Sequence, residues 1–115
     1  MTAAVSATGS GGAGQASFDL SAAAADRLVA RGALTFATAR RARAQGLQAL
    51  RSRGAALTVD CAAISQADSA GLAVLLDWLA EARRTGSSLR YEQLPEDLLA
   101  LARISAVDEM LRKGT

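Results

Sequence analysis

The stretch LTVDCAAISQADSAGLAVLLDWL, Leu57 to Leu79, changes its hydrophobic period part-way along. Leu57, Val59 and Cys61 alternate with Thr58 and Asp60, a period of two that suits a strand with one buried face. Ser65-Gln66-Ala67-Asp68-Ser69 follows as a polar hinge. From Ala70 onward Leu72, Leu75, Leu76 and Leu79 fall on one side of a helix, spaced as a face packed on a sheet. Asp68 and Ser69 both suit the helix N-cap, where a side-chain oxygen accepts an otherwise unpaired backbone N–H. A strand that runs through a polar hinge into a helix start presents a hydroxyl at a surface.

Upstream of that stretch, Phe18 and Leu20 alternate with Ser17 and Asp19 as a first strand. Ala22–Asp26 reads as a turn and Arg27–Arg31 as a second strand, with either Leu28 and Ala30 or Val29 facing inward. Gly32 breaks the pattern, and Ala33-Leu34-Thr35 leads to a helix capped by Thr35 or Thr38. That helix, from about Ala37 to Arg51, carries a weak apolar stripe of Ala39, Ala42, Gly46, Leu47 and Leu50. Arg43 falls near the stripe, so that its stem lies on the core edge while its guanidinium reaches water. Arg40, Arg41, Arg51 and Arg53 add positive charge, either as a solvated face or as a contact for an acidic partner. Residues 1–15, rich in Ala, Gly, Ser and Thr, offer nothing to bury and read as a disordered tail before a single domain at residues 16–115.

Downstream, Thr85-Gly86 ends the Leu-rich helix, with Arg83 and Arg84 near the negative end of its dipole. Leu89 and Tyr91 alternate with Ser88, Arg90 and Glu92 as a fourth strand. Pro95 suits a first helical residue, with Glu96 and Asp97 in the first turn and Leu98, Leu101 and Ala102 facing inward. Val107–Leu111 reads as a last short turn or helix. The order β-β-α-β-α-β-α, with or without a final short helix, implies two crossovers and hence a small mixed sheet covered by helices.

The totals narrow the chemistry. The chain has 115 residues, 50% apolar, 21% charged and 3% aromatic, so its core is built from Leu, Val, Ile and Ala. A formal net charge of +2 is too small to argue for nucleic acid. With no histidine and one cysteine, no Ser-His-Asp or Cys-His arrangement is available, and a zinc site is not expected. Neither common phosphate-binding glycine loop occurs. The reading is therefore of a chain without catalytic residues, cofactor or metal. The single cysteine fits a reducing compartment. No apolar run is long enough to span a bilayer, so a cytoplasmic location without membrane insertion is expected.

The pieces Gly32-Ala33-Leu34-Thr35, Val59-Asp60 and Ile64-Ser65-Gln66-Ala67-Asp68-Ser69-Ala70-Gly71-Leu72 together resemble a STAS domain, over nearly everything from Phe18 to Leu111. The resemblance implies an α/β fold with a small mixed four-stranded sheet and helices packed on one face. Two subfamilies fit. In anti-sigma factor antagonists a serine after the Asp is phosphorylated by a partner kinase; Ser69 matches it, but Ala70 stands where those proteins usually carry Ser or Thr. The MlaB-type subunit of the bacterial Mla phospholipid transporter typically has Asp-Thr/Ser-Ala-Gly-Leu, which Asp68–Leu72 matches. That likeness implies a non-enzymatic subunit that binds the cytoplasmic ATPase of an ABC transporter, peripheral at the inner membrane through this partner. The other implies an anti-sigma factor kinase as partner and Ser69 as phosphoacceptor.

Ser69, Gly71, Val74 and Trp78 are the residues expected to meet a partner, with Asp60 and Asp68 in support. Ser69 is otherwise a helix cap worth about 1 kcal/mol. Gly71 lacks a Cβ and so admits a second backbone. Val74 and Trp78, one turn apart, project away from the leucine stripe. Trp78 is therefore either a partner hot spot or packed laterally on a neighbouring helix. Cys61 alternates inward as a small buried hydrophobe. Asp60 reads as a hydrogen-bonder at the strand end, and Asp68 as support for the helix start.

Overall fold

The computed structural model describes residues 17–53 and 56–115. The tail expected at residues 1–15 lies outside them. Strands β1 (Phe18–Ala24), β2 (Arg27–Leu34), β3 (Ala56–Ala67) and β4 (Ser88–Glu92) form one sheet in the order β1-β2-β3-β4. Helices α1 (Ala39–Arg53), α2 (Ser69–Thr85), α3 (Glu96–Ile104) and α4 (Asp108–Lys113) complete the fold. β1 is antiparallel to β2, whereas β2–β3 and β3–β4 are parallel, so the sheet is mixed as expected.

Both parallel pairs are joined through a helix, and the strand order advances one way across the sheet. Two right-handed crossovers in the same direction place both helices on the same face. Burial follows that geometry. Leu28, Ala30, Leu57, Val59, Cys61, Leu89 and Tyr91 are buried on one side, while Arg31, Arg90 and Glu92 on the opposite pleat are exposed. On that polar face Arg27 reaches Glu92 at 2.7 Å and Asp60 at 3.7 Å, bridging across β3.

Several boundaries differ from those read in the sequence. β1 continues to Ala24, leaving only Ala25-Asp26 as the turn. Gly32 does not end β2. It takes φ +94, the register shifts beside it, and the strand continues to Leu34. A Cβ there would lie 2.2 Å from the Ser17 carbonyl oxygen, so the close backbone approach itself requires glycine. The longer β2 pairs as far as Leu34 with Ala67, which holds Ser65 and Gln66 in strand rather than hinge. Asp60 consequently sits mid-strand, not at the strand end. α1 starts at Ala39 with Thr38 at the N-cap position, its carbonyl accepting from the Ala42 N–H at 2.9 Å, while its side chain turns back from the helix. Its hydroxyl accepts from the Thr35 N–H at 3.0 Å and donates to the Ala33 carbonyl at 2.8 Å. Pro95 stands one residue before the first helical residue of α3, where its missing N–H costs nothing.

The core lies between the sheet and the α1–α2 pair. Trp78 is the largest fully buried side chain, 1% exposed. Its ring fills a notch in α1 at Gly46, where an added Cβ would lie 2.0 Å from Cε2 and Nε1. The indole N–H donates to the Arg43 carbonyl at 3.3 Å. Phe18 and Tyr91 flank the indole, with ring centroids 6.3 and 6.5 Å away. Of the two readings of Trp78, lateral packing is the one the fold adopts. Val74 is buried as well, 3% exposed, so the expectation that both project outward is corrected. The leucine stripe marked only the side of α2 that meets the sheet; the side that meets α1 widens the buried arc.

The far edge is closed by the C-terminal elements. Leu98, Ala102 and Leu111 are buried from α3 and α4. Thr115 then pairs with the outer edge of β4: its N–H donates to the Leu89 carbonyl at 2.8 Å, and the Leu89 N–H donates back at 3.2 Å. Among the described residues no helix is long and apolar enough to cross a membrane.

Candidate functional site

The ends of β2 and β3 lie side by side, and the start of α2 grows from that junction. Asp68 organises it. Its backbone N–H donates to the Leu34 carbonyl at 3.3 Å. Its Oδ1 accepts from the N–H groups of Ala70 (3.0 Å) and Gly71 (3.1 Å), which makes Asp68 the N-cap of α2. Its Oδ2 accepts from the Phe36 N–H at 3.0 Å, tying the helix start to the loop before α1. The Phe36 N–H, followed by those of Gly71 and Ala70, holds the carboxyl below the usual carboxylate range, against a desolvation that acts the other way. The expected supporting role of Asp68 thus has a concrete geometry.

With Asp68 as the cap, Ser69 becomes the first helical residue and its side chain is exposed. Among the described residues nothing hydrogen-bonds its hydroxyl. Gly71 is buried, and the backbone it admits belongs to this chain: a Cβ would stand 2.0 Å from the Leu34 carbonyl oxygen. The approach of a partner's backbone at Gly71 is therefore corrected to an internal contact between α2 and β2. Gly71, Val74 and Trp78 all serve the packing of α2, and of the expected partner residues Ser69 alone stands free.

The structure places a different aromatic beside it. Phe36 is 84% exposed, and its backbone N–H is held by the same carboxylate that caps α2. Between α1 and α2 its ring borders a shallow concavity of about 470 Å³, with Ala70, Ala73 and Arg40. Across it Arg43 Nε lies 3.1 Å from Asp77 Oδ2, a half-exposed ion pair joining the two helices. Phe36 escaped the sequence reading because no periodicity includes it. Its one signal was its position, an aromatic alone in a Thr-rich turn just before a helix. A hydroxyl, a phenyl ring and the edge of an alanine surface, on a helix N-terminus and a hydrogen-bonded loop, suit contact with another protein.

Asp60 does not join this site. Its Oδ1 accepts from the Ala62 N–H at 2.9 Å and its carboxylate faces Arg27 on the bare side of the sheet. Asp60 and Asp68 therefore do not bracket a common centre. Cys61 is fully buried, and its thiol is pushed up to about 12, first by burial and then by the Asp60 charge, which removes the thiolate a nucleophile needs. Among the described residues no group of three His, Cys, Asp or Glu could hold a metal ion.

A family model described as "Mlab, STAS domain" matches residues 18–112. Among solved structures, that of the anti-sigma factor antagonist SpoIIAA in its unphosphorylated form is similar, with a TM-score of 0.63 and 16% sequence identity. It covers 81% of this chain and 84% of that one. At that identity the likeness is one of fold. No curated protein matches the chain in sequence. The family match begins at the first residue of β1 and ends within α4, and it includes the Asp68-Ser69 junction; the chain belongs to the MlaB-type STAS domain family.

Proposed function

We propose that this chain is a non-enzymatic accessory subunit that docks on the cytoplasmic ATPase of an ABC transporter for phospholipid trafficking. The contact is centred on Ser69 and Phe36 at the start of α2. Family membership supports the class of partner. One observation carries the surface: an 84% exposed phenylalanine, whose backbone N–H is bound by the carboxylate that caps the helix of Ser69. The bond fixes the backbone that carries the ring, so docking has to order only the ring's own torsions. Docking that is available only in the assembled ATPase shifts the population towards that state by linkage. ATP and lipid are handled by other chains, and the subunit itself stays in the cytoplasm, at the inner membrane through its partner.

The test is co-purification with an ATPase encoded beside this chain. Ser69→Arg and Phe36→Asp change exposed side chains, so each variant keeps its melting temperature and loses the ATPase. Retention of the ATPase by both variants overturns the proposed surface.

The exposed Ser69 hydroxyl favours a second reading, an anti-sigma factor antagonist switched by phosphorylation. A phosphate there adds nearly two negative charges next to the Asp68 carboxylate. The helix dipole tolerates charge at that end, so the change acts on the partner's fit rather than on folding. Mass spectrometry of the chain after incubation with a neighbouring kinase and ATP checks this reading, and an unmodified Ser69 removes it.

A further inference from the structure

A second concavity, of about 810 Å³, opens beside α1. Arg31, at the β2 bulge, and Arg40 and Arg41, in the first turn of α1, line it together with Asp19. All three arginines are exposed. Among the described residues none lies within ion-pair distance of a carboxylate, although Asp19 sits opposite Arg31 in the β1–β2 register. By contrast, Arg27, Arg43, Arg84, Arg103 and Arg112 are all paired. Among the described residues Arg51, Arg53, Arg83, Arg90 and Lys113 are likewise outside any ion pair but line no part of this groove; what the groove gathers is three unpaired arginines against one carboxylate, that of Asp19.

We propose that this groove receives an acidic polypeptide segment of the protein that docks at Ser69 and Phe36, so that the partner presents an apolar contact and a run of carboxylates side by side. The inference rests on the docking reading for the identity of the partner, and on geometry for its chemistry. Arg40 borders both concavities, so the basic groove continues the surface of Phe36 without a break. A small anion finds no enclosed cradle here, because the guanidinium groups stand in water where each contributes little alone. A chain carrying several carboxylates sums those contributions and is steered into the groove by the same field. Residues 1–16 of this chain contain no Asp or Glu, so they cannot supply the complementary charge.

The experiment titrates the full chain with a fluorescein-labelled peptide of Glu-Gly-Glu repeats, read by fluorescence anisotropy, with Gln-Gly-Gln repeats as the neutral control. The glutamate peptide binds, the glutamine peptide does not, and affinity falls as salt screens the contact. Arg31→Ala, Arg40→Ala and Arg41→Ala each weaken binding about twofold to fivefold, the range of one exposed ion pair. Arg90→Ala, which removes an exposed arginine on the bare sheet face, leaves binding unchanged. Equal loss on Arg90→Ala shows diffuse attraction to net charge and overturns the groove. So does binding of phosphatidylglycerol vesicles without peptide binding, or displacement of the peptide by inorganic phosphate at concentrations where chloride has no effect. Phe36→Asp separates the two proposals. If it and Ser69→Arg both leave ATPase co-purification intact, the docking reading fails, while the peptide titration of the wild-type chain still decides the groove by itself.

Discussion

At the scale of single residues, Asp68 and Trp78 do the most to shape the site, and both act inside the molecule. Asp68 accepts three backbone N–H groups from two segments. Its replacement by Ala costs about 0.5–2 kcal/mol for the cap, and frees the loop that holds Phe36. The same bonds give a pH dependence. A carboxyl whose folded value is depressed stabilises fully above its unfolded value of about 3.9, and that contribution is lost as pH falls through the lower folded value. Urea unfolding of the wild type and Asp68→Asn therefore converges as pH drops below about 4. Equal spacing of the two curves at every pH shows that the carboxylate charge has no role. Trp78→Ala, which empties the notch at Gly46, costs about 3–5 kcal/mol. A loss under about 1 kcal/mol in thermal or chemical melts contradicts the buried position of the indole.

Elements join through close backbone approaches as much as through side chains. α2 meets β2 where Gly71 lies against the Leu34 carbonyl, and α1 meets α2 where Gly46 receives the indole. In an isolated helix, alanine is favoured over glycine by about 1 kcal/mol. At Gly71 and Gly46 the sign reverses, because the added methyl group overlaps existing atoms. Gly71→Ala and Gly46→Ala each destabilise by about 1–3 kcal/mol, measured by urea midpoint with an unchanged m-value. Gly86 is a different case: φ is +77 and a Cβ there meets nothing within 4 Å, so Gly86→Ala costs only the conformational term of about 1–2 kcal/mol. A stabilised Gly71→Ala variant means that α2 and β2 are not in contact at Leu34.

For the molecule as a whole, two buried acids set an alkaline limit. Burial raises Tyr91 well above its ordinary value, with its hydroxyl donating to the Leu75 carbonyl at 2.6 Å; it also raises Cys61. In the unfolded chain these groups lose protons at about pH 8.5 for Cys and about 10 for Tyr, whereas the folded chain retains them. Stability therefore declines as pH rises from about 8.5. Tyr91→Phe shows a shallower decline in urea midpoint between neutral and alkaline pH, and an identical slope assigns the loss to other groups. How much of this was legible beforehand depends on where the information lies. The strand and helix periods around Leu57–Leu79, a polar cap at Asp68 or Ser69 and the turn at Gly86 are local, written within a few neighbouring residues, and the sequence by itself determined them; the structure chose Asp68 as the cap. Chain order and the crossover rule then sufficed for a small mixed sheet covered by helices, and the family resemblance implied that the helices share one face. The inward position of Val74 and Trp78, the internal use of Gly71 and the exposure of Phe36 were decided only by the tertiary structure. Each depends on what lies opposite, namely α1 against α2 and β2 against α2, and a helix wheel drawn for one element carries no record of the second element that covers it.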